Sequence, residues 1–221
     1  MTVIGAGRIG SALVDMGTAD DVDLVFIQNG MIQPWLEAHG LAEATQVLVY
    51  FAVARLGDAP VDGKTELDPE GLTAAWGPLA GAVAARLRAG GLGCRVLDRP
   101  AFLDAMLQKL VWICAFMLVG VRHGGCSIGE VESAHAGEVG ALIRELLAAG
   151  ADALGVPVVP DAEPRLMAYA RSVASYPTAI KEFAWRNGWF QDLSLQAKEA
   201  GKPDPCPIHS SYLEELQLPL T

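Results

Sequence analysis

The feature that most constrains this chain is Gly5-Ala6-Gly7-Arg8-Ile9-Gly10, which follows a short apolar run at residues 2–5 and precedes a helix-like stretch at 11–16. In the order strand, glycine turn, helix, a G-x-G-x-x-G pattern supplies three things: a tight turn, a close approach for a pyrophosphate, and contact between helix and strand. The phosphates then lie on the helix N-terminus. The pattern alone is weak, and its alternative is a glycine-rich turn of purely structural use. The flanks on both sides favour dinucleotide-binding ancestry. A residue that discriminates the ribose is expected at the end of the next strand, ~20 residues on. Gly30 stands near there, while Asp20, Asp21 and Asp23 fall at the start of that strand and read as a solvated loop, so NAD and NADP are not distinguished.

Further along, residues 22–28 are rich in Val, Leu, Phe and Ile and stop at Asn29-Gly30, a strand followed by a turn pair. A helix-like segment at 34–39 precedes an apolar run of strand length at 47–54. The Pro, Gly and Asp content of 57–77 marks loop or short strand. Leu79, Val83 and Leu87 recur at helical spacing over 78–88, with Pro78 in the first turn and Gly90-Gly91 as a stop. Residues 94–97 make a last short strand. From Pro100 the pattern becomes helical, over 101–121, 134–154 and 163–175, with Pro164 in the first turn of the last. The prolines of 201–207 form a loop before a short helix at 211–218. The organisation expected is a truncated parallel α/β sheet over 1–99 and an all-α part over 100–221.

The 221 residues are 52% hydrophobic, ample for a core, and carry a net charge of −10. That charge argues against a nucleic-acid or anionic-membrane surface, either of which needs clustered Lys and Arg. A small-molecule or protein partner is expected instead. Cys94, Cys114, Cys126 and Cys206 show neither C-x-x-C spacing nor a regular frame, so neither disulfides nor a zinc site are expected. The apolar run at 110–121 is short of the ~20 residues of a membrane span and reads as a buried helix. Because residues 2–4 enter a strand at once, no targeting segment is expected, and a cytoplasmic or organellar stromal location follows as an expectation.

Several segments together resemble the ketopantoate reductase family and its uncharacterised plant and algal relatives. Beside the glycine turn, Phe26-Ile27-Gln28-Asn29-Gly30 is similar to that family's strand-ending Q-N-G next to the nicotinamide. Lys109-Leu110-Val111-Trp112, running into Ser127-Ile128-Gly129-Glu130-Val131, resembles its catalytic-lysine helix and following G-E turn. Glu182-Phe183-Ala184-Trp185-Arg186-Asn187-Gly188 is similar to its E-x-x-x-x-N-G element, which supplies a substrate-binding glutamate. The likeness covers nearly the whole chain in the family's order. It implies a Rossmann-like domain followed by a helical, 6-phosphogluconate-dehydrogenase C-terminal-like domain for substrate binding and dimerisation. It also implies reduction of a small 2-oxo acid, of the 2-dehydropantoate type, with NADP and with NAD not excluded, and a homodimer among the expected assemblies.

There are two departures. Only 17 residues separate Gly10 from Gln28, where the family has two further strands and their helices, and Ile113 stands where the reductases carry a substrate-contacting asparagine. In a 3-2-1-4-5-6 sheet, losing strands 2 and 3 leaves the others contiguous and makes strand 1 an edge. Val3 and Ile4 are then expected on an exposed or partner-covered edge, with irregular structure over 11–22, where a direct crossover to the other neighbour is short and of rare hand. Adenosine lies over strand 2, so weak or absent cofactor binding is expected. Whether the chain is an enzyme stays open against two rivals: a non-catalytic remnant acting as a binding or dimerisation module, and an opine- or 3-hydroxyacid-type dehydrogenase.

The residues implied for chemistry each have a plainer alternative. Lys109 would protonate the alkoxide formed on hydride delivery. Met106, Trp112 and Ile113 at i−3, i+3 and i+4 give it an apolar setting that lowers its pKa, unless it snorkels to water. Glu182 would accept a substrate hydroxyl or merely pair with Arg186 at i+4. Asn29, grouped with Lys109 and Glu182 as catalytic, would contact substrate or carboxamide or serve as a turn residue. Ser175 and Thr178 would hold a substrate carboxylate or cap a helix. Gly5, Gly7, Arg8, Ile9, Gly10, Gln28 and Asn29 form the cofactor set. His39, His123, His135 and His209 show no metal spacing, with His135 and His209 expected in surface turns. Cys206 and His209 are weak evidence for a metal or nucleophile, and Trp185, Trp189, Phe183 and Phe190 read as core.

Overall fold

The computed structural model describes residues 2–5, 23–51 and 57–218. The chain divides into two compact units, Met1–Met106 and Leu107–Thr221.

The first unit is a five-stranded sheet in the order β1 (Thr2–Gly5), β2 (Leu24–Gln28), β3 (Thr45–Leu48), β4 (Ala74–Trp76), β5 (Arg95–Val96). β1 pairs parallel with β2, Thr2 opposite Leu24 and Gly5 opposite Ile27, and β2 pairs parallel with β3. β1 is therefore the edge of the described sheet, next to the Q-N-G strand, as the loss of two strands requires. Successive side chains of β2 point to opposite faces. Val25 joins Val47, Ala75, Val83, Ala84 and Cys94 in one core, covered by α2 (Ala80–Ala89), while Phe26 meets Trp35 of α1 (Gln33–Ala38) edge-on at 6.3 Å.

The parallel sheet that the sequence leads one to expect is observed, with one antiparallel pair in it. β3 and β4 run antiparallel, Val47 opposite Ala75. A parallel return needs a crossover, usually a helix. Among the described residues between Leu48 and Ala74 there is none, only a loop stapled by Asp62, whose carboxylate accepts the Gly93 N–H at 2.8 Å. The strand expected over 47–54 is confined to Thr45–Leu48 in the described part. The helix expected at 11–16 and the irregular structure expected over 11–22 lie outside the described residues.

The second unit is helical. α3 (Arg99–Arg122) is 24 residues, twice the apolar run seen in the sequence. It is long and apolar enough to cross a membrane, but 78% of its apolar window is buried inside the protein, as in a core helix. The division between units falls within it. The stretch expected to start one helix at 134 instead ends α4 (Ile128–Ala134), and α5 (Ala136–Leu154) follows. The start of α4 is a reciprocal capping box: Glu130 N–H donates to Ser127 Oγ, and Ser127 N–H donates to Glu130 Oε2 at 2.8 Å. The Ser-Ile-Gly-Glu motif thus has a local structural reason.

α5 packs on α4, α6 (Ala162–Ser172), α7 (Asn187–Glu199) and α8 (Pro207–Glu215). This is why Leu142, Ile143 and Leu146 are fully buried. α8 begins earlier than the expected 211. Pro207, the last proline of the loop, occupies the first turn, where its missing N–H costs nothing, and Glu145 of α5 accepts the next two N–H groups, of Ile208 and His209, at 2.8 and 2.9 Å.

Leu142→Ala removes a fully buried side chain at this hub and is expected to cost ~2–5 kcal/mol in urea unfolding. Leu67→Ala, at a half-exposed position of the first unit, is expected to change stability by less than about 0.5 kcal/mol.

Candidate functional site

Lys109 projects from α3 within the helical unit and is 6% exposed, so it does not snorkel to water. Its neighbours on the helix, Leu110, Trp112 and Ile113, are buried apolar side chains. Burial withdraws water from the ammonium and the nearby Arg186 guanidinium repels it, which together bring its pKa from 10.5 down to about 7.

Arg186 is the residue sequence reasoning left outside the site. Its side chain is 13% exposed and forms an ion pair with Glu182, and its Nε is buried without a hydrogen-bond partner among the described residues. Its charge reaches Cys114 as well as Lys109: burial lifts the Cys114 thiol far above its usual range, with Arg186 opposing that rise. The i,i+4 spacing with Glu182 was the available signal, but spacing could not show that the pair lies beside Lys109. Lys109, Arg186 and Glu182 therefore form one group.

Glu182 sits at the mouth of this group, its side chain 49% exposed. It does not lie on a helix. Its backbone is left-handed (φ 49°, ψ 48°) and leads into a single 3-10 turn, Phe183–Trp185. That conformation costs a non-glycine residue ~1–2 kcal/mol, and such strain gathers at sites where a side chain must be aimed. The Asn187-Gly188 pair that follows is structural. A Cβ on residue 188 would stand 2.9 Å from the Phe183 carbonyl oxygen, so only glycine closes this turn. Asn187 Oδ1 accepts from His209 Nε2 at 3.0 Å.

His209, expected in a surface turn, is fully buried in α8. Burial drops its pKa to about 4, with Asp204 opposing, so it is a neutral interior hydrogen-bond donor. Cys206 beside it is also buried, which lifts its thiol to about 12, with Glu145 and Asp204 raising it further. The pair offers neither a nucleophile nor a ligand. All four cysteines are unpaired. Phe190 is core, and Trp189 packs edge-on against it at 4.9 Å.

Of the expected carboxylate ligands, Ser175 is exposed in the turn after α6. Thr178 is not available as a donor: it is buried and its hydroxyl proton goes to the Cys126 carbonyl at 2.7 Å, a brace for the Ser127–Pro177 bridge. In the sheet unit, Gly5 and Gln28 end the adjacent parallel strands β1 and β2, and Asn29 follows in an exposed bend. Gly7, Arg8, Ile9 and Gly10 lie outside the described residues.

The sequence matches no protein-family model and no curated protein. Its fold does match solved structures. One is 2-dehydropantoate 2-reductase from Methylococcus capsulatus, with a TM-score of 0.67 at 20% identity, over 98% of this chain and 72% of that one. Another is D-mandelate dehydrogenase in complex with NADH, with a TM-score of 0.67 at 13% identity, over 98% and 79%. A third is the dimeric ketopantoate reductase from Staphylococcus aureus, with a TM-score of 0.62 at 15% identity, over 97% and 76%. The chain has the ketopantoate reductase-like fold, a truncated Rossmann-like sheet and a helical part, in about three quarters of those proteins' length.

Lys109 supplies a pH test. Its folded-state pKa lies below the unfolded value, so between pH 7 and 10.5 the unfolded chain binds more protons and stability climbs with pH. Lys109→Met is expected to stabilise the protein by roughly 3–5 kcal/mol at pH 7 and below. The gain should shrink towards zero as pH approaches 10.5, measured by urea unfolding across that range; a gain independent of pH would place the ammonium in water.

Proposed function

We propose that this chain is a nicotinamide-dependent oxidoreductase acting on a small 2-oxo acid or its 2-hydroxy counterpart, of the 2-dehydropantoate reductase type. The observation that carries the reading is Lys109, a buried amine with a pKa of about 7 beside Arg186 and its partner Glu182. Reducing a 2-oxo acid leaves a negative charge on the former carbonyl oxygen, and a proton donor must be in position as that charge grows. An amine with a pKa near neutrality is divided between its two protonation states, so Lys109 gives a proton in reduction and accepts one in the reverse direction. Arg186, with a buried and unengaged Nε, suits the substrate carboxylate, and the half-exposed Glu182 suits a substrate hydroxyl. Ser175 is a further polar contact in this reading. Ile113 presents an apolar surface, so this substrate is held with one polar contact fewer than the family pattern has.

A nicotinamide cofactor, when bound, supplies the hydride. The residues present fit one half of such a molecule. The carboxyl ends of β1 and β2 lie side by side, Gly5 opposite Ile27 with Gln28 and Asn29 next along the chain, suited to the nicotinamide end, while Gly7, Arg8, Ile9 and Gly10, the sequence candidates for the pyrophosphate, lie outside the described residues. Beyond β1 there is no strand among the described residues to carry adenosine. That edge supports the second reading, a non-catalytic remnant that keeps the helical unit as a binding or dimerisation module. A homodimer belongs to both readings, given the dimeric neighbour. The likeness to D-mandelate dehydrogenase keeps a 2-hydroxyacid dehydrogenase within the first.

Turnover of 2-dehydropantoate with NADPH or NADH is expected to fall at least ~100-fold in Lys109→Ala, and in Arg186→Ala KM is expected to rise more than kcat falls. Equal turnover by wild type and Lys109→Ala removes Lys109 from the chemistry. Titrating NADPH fluorescence with protein is expected to show no saturation in the micromolar range. A micromolar dissociation constant would restore a complete cofactor site and sink the remnant reading.

A further inference from the structure

Two histidines and a glutamate that play no part in the proposed reaction stand together where α3 turns into α4 and α5. His123 follows the last residue of α3. After it, Gly124 and Gly125 take φ of 78° and 79°, a left-handed pair open to glycine, and the chain doubles back to start α4 at Ile128. His135 occupies the break between α4 and α5 (φ −120°, ψ 23°), and Glu138 lies in the first turn of α5. The His123 and His135 rings stack face to face, centroids 3.6 Å apart and planes within 12°. His123 Nε2 is 2.8 Å from Glu138 Oε2, and one donor atom from each of the three residues lies within 4.8 Å of the other two.

Ordinary packing does not account for this group. His123 is about a third exposed (34%), and the hydrogen bonds of His135 are made by its backbone. Glu138 is nevertheless held in one orientation. Arg122 takes its other oxygen, Oε1, in an ion pair, bonds Glu215 at 2.6 Å, and lies 3.8 Å over the Tyr212 ring. Burial alone would raise the Glu138 carboxyl, but the His123 hydrogen bond and the Arg122 charge outweigh it and keep it below the usual range. With Glu138 and Glu215 set against Arg122, the surroundings do not repel a cation.

We propose that His123, His135 and Glu138 form a site for a divalent transition-metal ion of the zinc class. Two imidazole nitrogens and one carboxylate oxygen are a zinc donor set that leaves a fourth position for water, and imidazole selects zinc, copper or nickel over magnesium and calcium, which take oxygen ligands. Ligand atoms ~2.0–2.1 Å from a shared tetrahedral ion are about 3.3–3.4 Å apart, so His123 Nε2 and Glu138 Oε2, now 2.8 Å apart, need to separate by only about half an ångström. The ion takes the place of the proton between those two atoms, which goes to water from a charged ring or is replaced by an Nδ1–H in a neutral one, and the stacked rings must tilt for their in-plane lone pairs to converge. Arg122 orients the carboxylate from behind, as residues outside a metal's ligand shell do.

Isothermal titration of the full chain, stripped with a chelator, with zinc chloride tests this. One zinc per chain is expected with micromolar or tighter affinity, weakened at least ~tenfold in His135→Gln and in His123→Gln and unchanged in His39→Gln. Cobalt(II) is expected to give a visible ligand-field band that both variants lose. His123 is partly exposed, so its variant carries the test should His135→Gln fail to fold. No zinc bound, or undiminished binding by His123→Gln, overturns the proposal.

Discussion

A positive charge taken out of water is costly unless its surroundings compensate it, and the helical unit is organised around that constraint at Lys109. The ammonium stands among apolar residues of the longest helix, and the fold answers by lowering its pKa to about 7. The side chain placed next to it is Arg186, a second cation, partly neutralised by Glu182 at the surface. This is a poor arrangement for stability and a useful one for chemistry. It gives an amine that exchanges protons near neutrality and a guanidinium with hydrogen-bonding capacity left over. The left-handed backbone at Glu182 adds strain at the same spot.

Much of the fold was legible because it rests on local pattern. The β2 strand, α1, α2 and the core helix α3 follow from apolar runs, periodicity and turn residues, and each lies within a few residues of its expected place. What the sequence hid was set by distant partners. The direction of β4 depends on whether the preceding connection contains a helix, which composition at 57–73 does not decide. The start of α4 rests on a Ser127–Glu130 box that resembled a family turn before it read as a cap, and the break between α4 and α5 falls at His135. The burial of His209 depends on Asn187 and Glu145, 22 and 64 residues away.

The site was legible unevenly for the same reason. The apolar neighbours of Lys109 on its own helix suffice to foretell a depressed pKa, since desolvation is the larger cause. Arg186, the second cause, comes from a different segment. Thr178 read either as a carboxylate contact or as a helix cap because its acceptor, the Cys126 carbonyl, is 52 residues away. In the sheet unit the edge position of β1 among the described strands followed from the order of a sheet that has lost two strands.

The carboxylate of Glu145 makes helix 207–215 depend on another part of the chain. Cys206 at its head offers no side-chain cap, so the free amides of that first turn are satisfied from a residue made 63 positions earlier. During synthesis the receiving carboxylate emerges well before the segment it anchors. Local capping goes no further than Asp204, which accepts the Cys206 N–H at 2.7 Å, and the amides of the first turn are satisfied by docking onto a seat already built.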